Sequence, residues 1–280
     1  MARLTLPDSS WNFEPETGDI WGAIRPGRPL LHHLTNRVAA PVQALAAAAL
    51  GARPLMSSFP PEVAGLAASS DAILFNLGTP TGEGWDAMQT LIRHECFGKP
   101  LLLDPVGVGA SDTRAGQAKR ILESGLVSVC KGNASEIRFL ARGSSGMRGV
   151  DAGDPVEGEN AGILARRFGC IVAITGPEDI VSDGERTWRV RGGSELLPCL
   201  PASGCLAGTV ILACLAVRRI GSGVLAGLLA LKLASERAER RASGIGSFQS
   251  ALADALWKLG SADASSGVGR LAYVRRLSAS

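Results

Sequence analysis

Long apolar runs are missing from this 280-residue chain. The two longest, Cys205–Val217 and Val224–Leu231, fall short of the roughly 20 residues that a bilayer requires. Charges lie between and after them, so both read as buried helices and no membrane partner is expected. The stretch Met1 to Ile20 carries acids and prolines and no apolar centre, so it reads as neither a secretory signal nor an Arg-rich transit peptide. Cysteine pairs of the CxxC type are absent among Cys96, Cys130, Cys170, Cys199, Cys205 and Cys214. That argues against a zinc site or a disulfide framework and for free thiols in a reducing, intracellular and cytoplasmic setting. Excess charge is also absent: the net value of +3 gives no reason to expect nucleic acid as a partner. Histidine is scarce, and His94 has no spacing relation to His32-His33, which leaves a metal reading of that pair without a third ligand. No internal repeat and no Pro/Gly linker divides the chain.

Aliphatic residues and alanine are plentiful, and aromatics are few, which suits helices packed on a parallel sheet. Short apolar segments recur within Leu30–Asn36, Pro54–Met56, Asp71–Thr79, Pro100–Asp104, Leu126–Cys130 and Gly169–Gly176, most followed by a helical pattern. Asp179 to Arg189 reads as a hairpin around Asp183-Gly184. The alternation predicts an α/β fold with a mostly parallel central sheet and helices on both faces. Residues 1–20 read as an N-terminal extension outside the core, 21–260 as one domain, and 261–280 as a fraying tail. Residues 142–159, rich in Gly, Ser and Asp, read as a surface loop.

The stretch Pro201-Ala202-Ser203-Gly204-Cys205 leads into the apolar run that follows. Ser203 is a natural N-cap, Gly204 permits close approach of a ligand, and first-turn amides with the helix dipole make an anion site with a thiol at its edge. A buried helix with a capping serine and a structural cysteine is the plainer reading. Strand ends supply other candidates, because ligands in open α/β sheets sit beyond the carboxyl ends of strands. Asp104 ends one strand ahead of alternating glycines and suits a metal or phosphate. Lys131 suits a phosphate. Glu136 falls in a first helical turn, where a carboxylate is stabilised with or without a metal. Asn36 reads as a cap or a ligand contact, and Met56 as core or site.

Several of these segments together resemble the hydroxyethylthiazole kinase family of the ribokinase-like superfamily. They are His32-x-Leu-Thr35-Asn36, Pro54-Leu-Met56, Asn76-Leu-Gly78-Thr79, Asp104-Pro-Val-Gly-Val-Gly-Ala110, Lys131-Gly-Asn-Ala-Ser-Glu136, Ile174-Thr175-Gly176, Ser203-Gly204-Cys205 and Gly246-Ser-Phe-Gln249. They span about residues 28 to 260 in the family's order. The resemblance implies a ribokinase-like fold, homotrimers with sites at subunit interfaces, and ATP- and Mg2+-dependent phosphorylation of the alcohol of 4-methyl-5-(2-hydroxyethyl)thiazole in thiamine salvage. It implies that Asn36, Met56 and Ala202 bind the thiazole, that Lys131 and Thr175 contact ATP, and that Asp104 and Glu136 serve Mg2+. Ser203, Gly204 and Cys205 would form the catalytic anion hole. Cys205 stands where other ribokinase-like enzymes have an Asp base. A helix start is expected to lower its thiol pKa, yet it is expected to orient the alcohol and not to carry most of the rate.

Two departures from the family stand at the acceptor turn. Pro201 removes an amide donor, and Ala202 adds a methyl and is strained if its φ is positive. They point to a reduced or shifted acceptor preference. The alternatives are a ribokinase-like kinase for another small alcohol, a nucleotide-using hydrate dehydratase, or a nucleotide-binding relative with little turnover.

Overall fold

The computed structural model describes residues 4–143, 155–218, 220–267 and 269–275. Six short strands form the parallel part of one sheet: β1 (Leu30–Leu34), β2 (Arg53–Met56), β3 (Ala72–Asn76), β4 (Leu101–Asp104), β5 (Val129–Asn133) and β6 (Ile171–Thr175). Their order is β2-β1-β3-β4-β5-β6. Three antiparallel strands extend the β6 edge: β7 (Asp179–Ser182), β8 (Arg186–Val190) and β9 (Leu271–Arg275). The expected hairpin is the β7–β8 pair.

Successive strand residues point to opposite faces, and both faces are covered. Leu74 and Leu102 pack on one side, against α1 (Phe13–Gly27), α2 (Ala40–Leu50), α8 (Ser203–Leu215), α9 (Ile220–Glu239) and α10 (Ile245–Lys258). Ile73, Phe75, Leu101 and Leu103 pack on the other, against α3 (Pro60–Ser69), α4 (Gly82–Arg93), α5 (Asp112–Glu123), α6 (Ala134–Arg142) and α7 (Pro155–Phe168). Helix α8 is buried at every residue from Cys205 to Leu215, as its uniform apolarity requires. It packs closely on α9, where a Cβ on Gly227 would stand 2.6 Å from the Ile211 Cα. No helix among the described residues is long and apolar enough to cross a membrane.

The chain ends differ from the sequence expectation. Leu6, Thr17, Gly18 and Ile20 are buried, and the Leu6 amide donates to Asp183 Oδ2 at 2.7 Å. The acids and prolines of this stretch mask a helix whose Ile20, Trp21 and Ile24 share a buried face. At the other end, a 3-10 segment, Ser261–Gly267, packs on α1, and β9 pairs with β8. Small residues permit that approach: a Cβ on Gly18 would stand 3.1 Å from the Ser261 carbonyl oxygen. The expected loop at 142–159 falls partly outside the described residues, and α7 already begins at Pro155.

Candidate active site

The carboxyl ends of the six parallel strands share one edge of the sheet. Asn36, Met56, Asn76, Asp104 and Thr175 lie at or just beyond them, and Lys131 stands midway along β5 beside Asp104. Helix α8 starts over the same edge, and its first turn meets Asp104 and Lys131.

Asp104 is the centre of a buried polar network. Lys131 Nζ lies 3.4 Å from Asp104 Oδ1 and donates to the Gly204 carbonyl at 2.8 Å. Asn76 Nδ2 donates to Asp104 Oδ2 at 2.9 Å and reaches Cys205 Sγ at 3.1 Å. Asn76 Oδ1 in turn accepts from Asn36 Nδ2 and from the Gly78 amide, each at 2.9 Å. Asn36 Oδ1 accepts the amides of Val38 and Ala39 at 3.0 Å. Asn36 therefore fixes the entry to α2 and joins the network as well.

The start of α8 differs from the expectation in one respect. Ala202, with φ +59° and ψ 21°, is the N-cap residue, and no side chain caps the helix. Ser203 is already the first helical residue, and its amide donates to Leu200 O at 3.1 Å. Pro201 has no amide hydrogen to offer. The amides of Gly204 and Cys205 remain as first-turn donors without a protein acceptor among the described residues. Gly204 also gives Lys131 its place: a Cβ there would stand 3.3 Å from Nζ.

Charge at the site follows from burial and neighbours. Burial, followed by the Asp104 carboxylate, pushes the Cys205 thiol up to about 11. The expected lowering by the helix start is thereby overturned, and the sulfur is a protonated thiol at neutral pH. Burial opposes the charge of Lys131, but the carboxylates of Asp104 and Glu136 outweigh it and raise its pKa, so the ammonium persists. Glu136 forms a capping box with Asn133 at the start of α6. Its Oε2 accepts the Asn133 amide and its Oε1 the Gly107 amide, each at 2.8 Å. Burial still leaves its pKa raised, against those two hydrogen bonds. Among the described residues, no group of three or more His, Cys, Asp or Glu side chains is placed to hold a metal ion.

The other expected residues lie at the rim. Met56 is half-buried at the end of β2, opposite His33 in the β1 register. Thr175 is half-buried at the end of β6, and its hydroxyl donates to Gly132 O at 3.4 Å. The adjacent histidines serve structure. His33 Nε2 meets Thr209 Oγ1 at 3.1 Å, and His32 Nε2 meets Ser57 O at 2.8 Å. Burial holds His33 down at about 4.

Two site residues were given no role from the sequence, although Asn76 heads one of the motifs. Asn76 is the hub that orients both Asp104 and Cys205. Its signal is a lone amide side chain ending a fully apolar strand. Gln43 is fully buried in α2. It accepts from Thr35 Oγ1 at 2.7 Å and donates to the Cys205 carbonyl at 3.1 Å, tying β1 to the start of α8. Its signal is one amide within an Ala-rich helix.

Known proteins share this arrangement of sequence and fold. The pattern of the hydroxyethylthiazole kinase family matches residues 22–262. The hydroxyethylthiazole kinase of Nitratidesulfovibrio vulgaris is 40% identical over 253 residues, covering 87% of this chain and 94% of its own. That of Methanoculleus marisnigri is 39% identical over 243 residues, covering 85% and 86%. The solved hydroxyethylthiazole kinase protein of Pyrococcus horikoshii OT3 superposes with a TM-score of 0.84 at 32% identity, covering 93% of this chain and 99% of its own. A Bacillus subtilis pyridoxal kinase, solved as an ADP complex, superposes at 0.58 with 17% identity over 73% of this chain and 90% of its own, a likeness of fold alone. The expected ribokinase-like α/β architecture is the one observed. On the family pattern, the identities and the shared fold, this chain is a kinase and belongs to the hydroxyethylthiazole kinase family.

Proposed function

We propose that this kinase moves the γ-phosphoryl of ATP in line onto the alcohol of 4-methyl-5-(2-hydroxyethyl)thiazole, at the first turn of α8, as a step of thiamine salvage. The observation that carries this reading is the pair of free amides at Gly204 and Cys205, set beside the buried Asp104–Lys131 pair. Phosphoryl transfer demands positioning and charge stabilisation more than covalent chemistry. The two amides, fixed before reaction, receive the equatorial oxygens of the transferring group. Lys131 stays cationic toward the phosphates, and Thr175 bounds the nucleotide from the β6 side. Asn36, Met56 and Ala202 face the acceptor. Cys205, a neutral thiol held by Asn76, orients the alcohol.

Asp104 and Glu136 are the side chains that would hold Mg2+. Two carboxylates suit this ion, which keeps waters and takes phosphate oxygens and seldom fills a dedicated protein cage. When bound, it neutralises charge on the phosphates. Glu136 already accepts two amides, and Asp104 already faces Lys131 and Asn76, so these two side chains would hold the ion together with the nucleotide's phosphates and not as a closed protein cage.

We also propose homotrimers with sites at subunit interfaces. An open pocket at the strand ends is lined by Thr35, Asn76 and Trp85. The exposed Val38 and Leu45 of α2, with Phe59 after β2, offer apolar surface near the acceptor side. A solution mass three times the 29.0 kDa chain is expected, and a monomer that is fully active would refute this.

The deciding assay offers Mg2+, ATP, the hydroxyethylthiazole and a panel of related alcohols. Phosphorylated thiazole at about 1 per second or faster is expected. Preference for another alcohol would make the Pro201-Ala202 turn a specificity device. Bound ATP with no phosphorylated product from any alcohol would overturn the reading in favour of a binding protein.

A further inference from the structure

Helix α9 carries one lysine, Lys232, inside its buried apolar length. The side chain is 6% exposed. Its ammonium donates to the carbonyls of Gly176 at 2.9 Å and Pro177 at 3.1 Å, and lies 3.2 Å from Asp179 Oδ1. Asp179 is equally buried, and the same oxygen accepts the Gly176 amide at 2.9 Å. Gly176 and Pro177 themselves are exposed, so a solvent-facing turn is pinned from beneath by a buried ion pair. Space for the lysine stem is reserved from the other side: Gly193, at φ +100°, would bring a Cβ within 2.7 Å of Lys232 Cδ.

An apolar residue would fill this place in α9 at lower cost, because a buried ion pair recovers its desolvation only with complete hydrogen bonding. Here the ammonium has three oxygen partners, all within Gly176–Asp179. That turn follows Thr175 directly and closes the end of β6 next to β5, the strand that carries Lys131.

We propose that Lys232 and Asp179 are positioning residues for the nucleotide: the pair holds the Gly176-Pro177 turn, and with it Thr175, in the geometry that receives ATP. The proposal rests on the reading of Thr175 as an ATP contact. Neither residue touches the reacting atoms. Loss of the pair should therefore appear in nucleotide affinity, since a small misplacement of a binding group weakens that ligand alone.

The test is steady-state kinetics on the full chain, with KM for ATP and for the thiazole measured separately and Tm recorded. Lys232→Met alone strands a buried carboxylate, so the main variant is Lys232→Met with Asp179→Asn, which removes both charges. The expected result is KM for ATP raised about 10-fold, with KM for the thiazole and kcat within about 2-fold. Asp179→Asn alone, nearly isosteric, provides the milder reading and should raise KM for ATP about 3-fold by the same logic. A folded double variant with both KM values unchanged, or both raised equally, overturns the proposal; so does an unchanged KM for ATP in Asp179→Asn if the double variant does not fold. Thr175→Val is the separate control on the parent reading. If it leaves KM for ATP unchanged while the double variant raises it, the turn's backbone is what the pair positions and the Thr175 side-chain contact is refuted.

Discussion

Replacing Cys205 by serine separates two roles for the thiol. If the sulfur were the base, it would have to act as a thiolate. Burial and the Asp104 carboxylate push its pKa up to about 11. At pH 7.5 that leaves roughly one thiolate in 3,000 sites, a severe handicap for a base. Serine keeps the bond from Asn76 Nδ2 but draws its acceptor atom back, because C–O is shorter than C–S. The expected loss in kcat is about 10- to 100-fold, or about 1.4 to 2.7 kcal/mol of barrier, with KM for ATP unchanged. The assay is ADP release under saturating ATP, run from pH 6 to 10 alongside a thermal melt. A folded variant retaining less than about a thousandth of the wild-type rate, a loss of about 4 kcal/mol, would refute the orienting role. So would a wild-type kcat that climbs tenfold per pH unit up to pH 10 and loses that climb in the serine variant.

The remaining expectations concern the turn, the hub and the buried histidine. Ala202→Gly relieves a left-handed alanine worth about 1 kcal/mol, which the greater freedom of glycine in the unfolded chain largely offsets. Its Tm should therefore move little, while kcat/KM on the thiazole alcohol rises about 3-fold or more, about 0.7 kcal/mol; equal efficiency would show that the methyl does not matter. Asn76→Ala removes the donor shared by Asp104 and Cys205 and the acceptor for Asn36 and Gly78. Urea unfolding should show a loss of about 2 to 3 kcal/mol, and turnover should fall further than in Cys205→Ser; a neutral outcome would remove Asn76 from the centre of the network. His33 titrates at about 4 in the folded chain, below its ordinary 6.5, because burial disfavours the imidazolium. A depressed folded pKa contributes stability that is present above about pH 6.5 and is lost as pH falls toward 4, up to about 3 kcal/mol in all. His33→Gln should shrink the stability difference between pH 7 and pH 4 by about that amount in urea titrations, and an unchanged difference would assign acid sensitivity elsewhere.

The strands and most helices were legible because each carries a local signal. Ile-Leu-Phe-Asn76 and Leu-Leu-Leu-Asp104 are apolar runs that end in one polar residue, and such endings mark where a parallel sheet presents its ligands. The ends of the chain were not legible in the same way. Leu6 and Ile20 are ordinary apolar residues among acids and prolines; Ile20 becomes core through the docking of α1 on α9 and on Ser261–Gly267, and Leu6 through its seat against Asp183 and the start of α9. Ser203 looked like the cap because serine favours that position. The left-handed Ala202 took it, since the chain enters α8 from a proline-stiffened turn that no propensity describes.

By itself the sequence determined the alternation of strand and helix, the family motifs, and which polar residues stand at strand ends. Those properties depend on neighbours along the chain, at spacings of a few residues. Tertiary structure alone decided which of them touch. It joined Asn76 to Cys205 across 129 positions and Lys131 to Gly204 across 73. It raised the Cys205 thiol that a helix start alone would lower, because burial and a carboxylate from another strand act through space. It also placed Lys232 of α9 beneath the turn after β6, 56 residues earlier in the chain, a contact that no local pattern encodes.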